Sequence, residues 1–470
     1  MPLERELKFR IKPSAAARAA KLLALPAKGR TVSSTYFDTA DEQLRQARMA
    51  LRLRRDGKQW LQTVKSEISA AVRGEWETPA RGRLDLASLP RDEILAATGV
   101  DIALLGERLR PRFETRFIRR SRLLDLGKAQ VEVALDRGAA IAGTCRESIS
   151  ELEVELKTGA MQKLLRYAES LVEPLGLQLA FESKAERGYR LARGETRPAP
   201  RKWRRPELAP SATTGVALRE LAGAALSQAG MNALGVLEAH DDPEYLHQLR
   251  VGLRRLRSTL SVFRKIVKTQ ALRRRLGAFS PVLGAARDWD VFVQWLVHAK
   301  APRRLLAAAK ARQVAARRAA RALVGSHEFN IFLLRALRWI EESRSVQAGA
   351  PLSRFARQVL QRLHRKTLRR ARRIDWQNAA ARHELRIRVK RLRYACDSFA
   401  VETHVDGLVA LQERLGQLND IAVAKRFLAQ LGGEASLRAK LERSEARLIQ
   451  RLQGAWFDFE QRAPIWKAGK

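Results

Sequence analysis

Hydrophobic positions along this chain follow two rhythms. Before residue 193 they alternate with charged ones, as in Leu3-Glu4-Arg5-Glu6-Leu7-Lys8-Phe9-Arg10, Leu51-Arg52-Leu53-Arg54, Val131-Glu132-Val133-Ala134-Leu135-Asp136 and Leu152-Glu153-Val154-Glu155-Leu156-Lys157. A period of two sends successive side chains to opposite faces, so these segments predict β-strands with one aliphatic and one charged face. Two more strands are expected around Trp60–Lys65 and Glu114–Leu126, with helical pieces at Ser14–Leu25 and Met161–Leu175. After residue 213 the chain is rich in Ala, Leu and Arg with a period of about 3.6, which predicts an almost entirely helical region. Between the two lies Arg193–Thr213, holding Pro198, Pro200, Pro206 and Pro210. Neither a helix interior nor a central strand accommodates prolines at that density, so this stretch reads as a semi-rigid linker.

Charge separates the same two regions. The 470 residues carry 90 Lys+Arg against 50 Asp+Glu, a formal charge of +40, which points to a polyanionic partner. Residues 1–200 hold 37 basic and 27 acidic side chains, residues 201–470 hold 53 and 23, and the window 251–400 is the extreme with 36 and 8. A hydrophobic content of 46% supplies cores for both regions, so the charge decorates folded domains. Cys145 and Cys396 stand far apart without CxxC or Cys/His spacing, which argues against a disulfide framework or a zinc site. Glu4, Arg5, Glu6 and Lys8 occupy the place where a secretory signal needs an apolar core, and no long uncharged apolar stretch follows. The expectation is a cytoplasmic protein with no membrane association.

The charged strand faces have two explanations. An antiparallel sheet with one solvated face shows the same alternation. Yet Glu4, Glu6 and Lys8 share a face, as do Arg52 and Arg54, Glu132 and Asp136, and Glu151, Glu153, Glu155 and Lys157. Carboxylates at that density repel unless cations face them, and the Arg- and Lys-bearing strands supply such cations. A sheet closed with these faces inward would have a lumen holding metal-binding carboxylates and phosphate-binding cations, a combination suited to a polyphosphate ester or anhydride coordinated through Mg²⁺. Glu75 and Glu77 also alternate, and an exposed hairpin explains them as well as a luminal position does. The chain has no GxxxxGK(S/T) and no GxGxxG opening a helix.

The series Glu4-Arg5-Glu6-Leu7-Lys8, Tyr36-Phe37-Asp38-Thr39, Leu51-Arg52-Leu53-Arg54, Lys65, Thr115-Arg116, Ala134-Leu135-Asp136, Glu151-Leu152-Glu153 and Ser183-Lys184 resembles the CYTH family, the triphosphate tunnel metalloenzymes. The resemblance covers 1–195 and implies an eight-stranded antiparallel β-tunnel with peripheral helices. It implies metal ligation, by Mg²⁺ or Mn²⁺, through Glu4, Glu6, Asp136, Glu151 and Glu153. The run 151–155 offers two carboxylate pairs, so Glu155 is also a candidate. Lys8, Arg52, Arg54, Lys65, Arg116 and Lys184 would grip phosphates, with Glu4, Glu6, Lys8 and Lys65 as the catalytic set.

In the helical region two segments repeat at an offset of 136: His247-Gln248-Leu249-Arg250-Val251-Gly252-Leu253-Arg254-Arg255-Leu256-Arg257 and His383-Glu384-Leu385-Arg386-Ile387-Arg388-Val389-Lys390-Arg391-Leu392-Arg393. In both, a His and three cations share one helical stripe opposite an apolar one, and Phe263 and Phe399 follow at the same distance. Leu283–Asp288 matches Leu415–Asp420. Two copies in register predict duplicated four-helix bundles. A basic stripe is ordinarily a solvated face, but like charges three and four residues apart repel, and repeating them twice implies a compensating anion. The pattern resembles the CHAD domain, the conserved-histidine α-helical domain, over 215–460. That resemblance implies inorganic polyphosphate as ligand, contacted by His247, Arg250, Arg254, Arg257, His383, Arg386, Lys390 and Arg393. Arg255 and Arg391 stand nearby with their direction open, and Asp288 and Asp420 would orient the cations or cap helices.

The expected fold class is therefore α+β in two domains: a tunnel at 1–195, a Pro-rich linker at 196–214 and an all-α domain at 215–460. The expected function is metal-dependent hydrolysis of inorganic triphosphate, with polyphosphate binding by the helical domain and association with polyphosphate granules. Three alternatives stay open. The tunnel could act on thiamine or nucleoside triphosphates or have adenylate cyclase activity; the whole could be a non-catalytic polyphosphate- or nucleic-acid-binding scaffold; or the helical domain could bind nucleic acid through its phosphates. Base-specific readout is disfavoured, because the helical region shows no helix-turn-helix, finger or aromatic-stacking signature and only four Asn occur in the chain.

Overall fold

The computed structural model describes residues 3–69, 71–209, 211–238, 242–343, 351–401 and 405–461; Pro210 of the linker lies outside them. Contacts divide the chain into two compact units. The first comprises Met1–Arg201, Gly230–His240 and Gly325–Glu342, the second Lys202–Ala229, Asp241–Val324 and Ser343–Lys470. Two segments from within 215–460 thus cluster with the strand-rich unit, a membership that alternation and charge do not reveal.

In the first unit the strands are β1 (Leu3–Arg10), β2 (Arg30–Asp38), β3 (Met49–Asp56), β4 (Gln59–Ser69), β5 (Val72–Pro79), β6 (Arg110–Asp125), β7 (Ala129–Ala142), β8 (Cys145–Gly159) and β9 (Gln178–Ala180). Neighbours run in the order β5-β4-β3-β2-β6-β7-β8-β1-β9, and β1 also pairs with β5. That last pairing, Leu3↔Gly74 to Arg5↔Val72, closes eight antiparallel strands into a barrel. The short β9 takes the other half of the same β1 edge, from Lys8↔Ala180 to Arg10↔Gln178. Closure leaves no long exposed edge.

The aliphatic strand faces turn outward and are covered. Leu7 and Phe9 are buried on β1, and Met161–Leu175 forms a helix over β7 and β8 whose Leu164, Leu165, Ala168 and Val172 are buried. On that helix, Glu169 accepts from Arg335 and Arg338 of the helix His327–Glu342, at 3.1 and 2.7 Å. Outside β3–β5, Leu51, Val64 and Trp76 pack with Ile94, Ile102 and Leu105 from the 86–109 segment. Inside one end of the barrel a second cluster of Tyr36, Phe113, Phe117, Ile149 and Tyr189 forms a plug. Tyr36 and Phe113 stack at 4.5 Å, and Tyr189 meets Phe113 edge-on at 4.9 Å. Gly188, on the helix Lys184–Ala192, is required there: a Cβ would fall 2.0 Å from the Phe113 ring.

The second unit is helical throughout its regular elements. The two histidine helices, Pro243–Val262 and Ala379–Ser398, pack on each other. Gln270–His298 packs on the first, while Leu352–Ala371 and Val405–Gln430 pack on the second. Gln270–His298 and Val405–Gln430, the corresponding neighbours of the two copies, also pack together. Their shared core stacks Trp289 on Phe427 at 3.8 Å and carries Phe292, Leu296 and Leu428. No helix among the described residues is long and apolar enough to cross a membrane. Of the linker, Trp203 lies within the second unit with the Arg255 guanidinium over its ring at 4.1 Å.

Candidate functional site

The strands of the first unit enclose a cavity of about 330 Å³, lined mainly by their charged faces, with Tyr36, Phe117 and Tyr189 among the uncharged lining residues. β1 delivers Glu4, Glu6 and Lys8 to it; β3 delivers Arg52 and Arg54; β4 delivers Lys65; β8 delivers Glu153, Glu155 and Lys157. Alternation does this directly, because once the aliphatic faces are covered the opposite faces can only point inward. Glu75 and Glu77 of β5 line the cavity too, as does Glu132 of β7.

Register converts these faces into ion pairs. Lys65 stands opposite Glu75 and reaches Glu4 at 2.5 Å and Glu75 at 3.1 Å. Glu6 is paired with Lys8 and, at 2.5 Å, with Arg73. Arg119 holds Asp136 through two hydrogen bonds, of 2.8 and 2.6 Å, and also contacts Glu153. Lys184, at the start of the plug helix, lies 2.9 Å from Asp136, 2.9 Å from Glu151 and 2.7 Å from Glu153. Burial disfavours ionisation of Glu6, yet Lys8, Arg73 and Lys65 outweigh it and hold the carboxyl at about 2. Glu153 is held well below the usual carboxylate range by Lys184 and Arg119 against the same burial. Glu155 goes the other way: burial dominates and raises it.

Arg54 differs from its neighbours. Among the described residues no carboxylate pairs with it, and its Nε is buried without a hydrogen-bond partner. Burial, then Arg52 and Arg119, push its pKa down to about 10. The lumen is therefore built with a cation that lacks its anion. A carboxylate oxygen is orphaned as well, Glu4 Oε2.

The expected residues thus fall into three places. Glu4, Glu6, Lys8, Arg52, Arg54, Lys65, Glu153, Glu155 and Lys184 line the cavity. Asp136 and Glu151 share its face but lie deeper, 0% and 1% exposed, where Arg119, Lys184 and Arg187 occupy them. Arg116 is misplaced by the sequence reading: it lies on the outer face of β6, exposed and paired with Glu114 at 2.7 Å. Strand parity sends Phe117 and Arg119 inward instead, and Arg119 takes the luminal position expected of Arg116. Arg73 was also missed, although it shares the Glu75 and Glu77 parity in the sequence. Lys184 alone has no strand pattern to announce it, since it reaches the lumen from a helix that Ser183 and Glu186 cap reciprocally.

In the second unit the paired histidine helices line a larger cavity, about 850 Å³. His247, Arg250, Arg254 and Arg257 enter it from one copy, and His383, Arg386 and Lys390 from the other. Arg393 does not line it, which corrects the expectation; Arg391 and Tyr394 line that stretch of the helix. Arg255 is turned away, paired with Asp397 and lying over Tyr394. Arg287 and Arg426, outside the repeated eleven-residue segments, add cations. His383 Nδ1 is 3.0 Å from Asn419 Oδ1. Asp288 and Asp420 line the groove from the middle of their helices, so neither caps one. Burial raises both, and each lies among the groove arginines. Burial, then Arg386 and Arg254, lower the Lys390 ammonium to about 6.

Comparison with known proteins finds a family match for each of the two regions. Residues 2–189 match the model of the CYTH domain and residues 220–429 that of the CHAD domain. An inorganic triphosphatase of Haemophilus influenzae is 31% identical over 204 residues, 40% of this chain and 54% of the relative, so the chain spans about half the length of that relative. Among solved structures, the CHAD domain of the plant Ricinus communis is 30% identical and covers 58% of this chain and 98% of its own, with a TM-score of 0.46. PptA from Streptomyces chartreusis is 18% identical, covers 55% and 100%, and has a TM-score of 0.42. An eight-stranded antiparallel barrel lined with paired charges, followed by helices carrying a duplicated histidine segment, makes this chain a CYTH domain joined to a CHAD domain.

Proposed function

We propose that the barrel hydrolyses inorganic triphosphate to pyrophosphate and phosphate with the help of Mg²⁺ or Mn²⁺, and that the helical groove binds inorganic polyphosphate. The observation that carries the first part is Arg54, a half-buried arginine whose Nε is buried without a partner and which has no carboxylate partner among the described residues, set in a lumen beside carboxylates held ionised. An anion entering there supplies the missing partner. The similarity to the Haemophilus influenzae inorganic triphosphatase favours triphosphate over nucleotides.

Residues fit a divalent cation in part. The orphaned Glu4 Oε2 and the ionised Glu6 and Glu153 are hard oxygen donors on one luminal face, and these three would hold it. Asp136 and Glu151 are committed to Arg119, Lys184 and Arg187, and among the described residues no group of three or more potential ligands is gathered. When bound, a divalent cation supplies charge neutralisation at phosphoryl oxygens. The remaining steps belong to the chain: Arg52, Arg54, Lys65 and Arg119 grip the phosphoryl oxygens and stabilise charge growing on the leaving pyrophosphate, while Lys8 steers Glu6. Lys184 holds Glu153 in place from the plug helix, and Glu155, raised by burial, is suited to orient the attacking water.

The helical unit would bring the enzyme to polyphosphate, including cytoplasmic polyphosphate granules, with working domain limits of 1–195 and 215–460 joined by 196–214. Phosphate release from triphosphate, ATP and long polyphosphate, compared between wild type and Glu6→Ala of matched thermal stability, tests the catalytic reading. Equal rates in the two proteins would sink it. Competition between polyphosphate and duplex DNA for the full chain at physiological salt tests the groove, and preference for DNA would overturn that assignment.

A further inference from the structure

Next to the groove, the second unit has a smaller pocket, of about 100 Å³, that the duplicated pattern does not generate. Five cations surround it: Arg264 after the first histidine helix, Arg362 and Lys366 on the helix Leu352–Ala371, and Arg388 and Arg391 on the second histidine helix. No carboxylate lines it, and among the described residues none of the five has a carboxylate partner. The pocket shares Ser258, Ser261 and Arg391 with the groove, so the two are continuous.

The two cavities differ in charge balance in a way that matches the chemistry of a phosphate chain. In the groove, Asp288 and Asp420 temper the arginines. In the pocket nothing does, and burial together with neighbouring cations depresses Arg362 and Arg391. Inner phosphates of a polyphosphate carry one negative charge each. A terminal phosphate carries a second ionisation with a pKa of about 6, and so approaches two charges at pH 7. The volume, about 100 Å³ against about 850 Å³ for the groove, suits a chain end and not a run of chain.

Building on the polyphosphate reading of the groove, we propose that this pocket captures the doubly charged terminal phosphate of a polyphosphate whose inner phosphates lie in the groove. The helical unit then reads chain ends as well as chain length.

The test uses the full chain and polyphosphate of one defined length, either with free ends or with both terminal phosphates capped as monoesters. Binding is read by fluorescence anisotropy at fixed salt. Wild type should prefer free ends by about 10-fold, the equivalent of losing one strong charge-assisted contact. The double variant Arg362→Gln/Lys366→Gln should bind both forms alike, with capped-chain affinity within a few-fold of wild type. Arg254→Gln, in the groove, should weaken both forms equally and keep the preference. A preference unchanged in the double variant, or absent in wild type, overturns the chain-end assignment, as does orthophosphate binding as tightly as the free-ended chain. Wild type that bound neither form would instead refute the groove reading beneath it.

Discussion

Phe263 and Phe399, which follow His247 and His383 at equal distances in the two repeats, meet edge to face with ring centroids 6.5 Å apart. An approximate two-fold axis running between the copies brings equivalent residues of a duplicated segment together in this way. The contact accords with histidine helices that oppose each other and line one groove with both cationic stripes. Asp288 and Asp420, at matching positions of the two copies, both line that groove, and burial raises both carboxyls.

That opposition has a cost in proton affinity. Lys390 is lowered from 10.5 to about 6, first by burial and then by Arg386 and Arg254. With the folded value depressed, the unfolded chain binds the extra proton throughout that window, and the free protein loses stability as pH falls from 10.5 toward 6. A polyanion in the groove restores the charged form. Polyphosphate binding near pH 7.5 should take up a proton, measured by calorimetry in buffers of different ionisation enthalpy, and affinity should fall between pH 6.5 and 9. Lys390→Met should abolish the uptake, and uptake that persists in this variant would refute the assignment.

In the barrel, parity distinguishes two arginines only three positions apart. Arg119→Gln removes the guanidinium that joins Asp136 to Glu153 and should lower kcat/KM for triphosphate by about 100-fold or more. Arg116→Gln touches only an exposed pair and should leave the rate within about two-fold. Similar losses from both exchanges would mean that β6 is out of register.

The luminal carboxylates set the acid limit of the first unit. Glu6 is lowered from 4.5 to about 2, so its ion pairs contribute fully above 4.5 and are lost as pH falls through about 2. Urea midpoints measured from pH 5 down to 2.5 should decline less steeply for Glu6→Gln than for wild type. Parallel slopes would show that Glu6 is not held ionised.

Gly188→Ala should destabilise the barrel by about 1–3 kcal/mol, because the new Cβ meets Phe113 inside a plug already filled by Tyr36 and Tyr189. Differential scanning calorimetry reads the effect directly. Restoration of stability by adding Phe113→Leu would confirm the clash as its cause.

Much of this molecule is written in the sequence because its signals are local. A period of two with one charged face determined which residues could be luminal, and the same arithmetic, applied strictly to Thr115–Arg119 and Val72–Glu77, selects Arg119 and Arg73 over Arg116. The repeated His-and-cation stripe determined seven of the groove's lining residues by helical phase alone. Arg393 escaped that logic because the two copies do not end alike: Arg257 lines the groove, whereas Tyr394 and Arg391 flank it at the equivalent turn.

What only the tertiary structure decided is which charge meets which. No strand pattern says that Lys184 arrives from a capped helix to hold three carboxylates, that Asp136 and Glu151 are met by Arg119, Lys184 and Arg187, or that Arg54 is left without a carboxylate partner among the described residues. Nor does periodicity bring Arg362 and Lys366 beside Arg264 and Arg388. Periodicity fixes the direction of a side chain relative to its own backbone; pairing depends on register and closure between segments far apart in the chain, and there Coulomb energies and burial, acting across space, assign each charge its role.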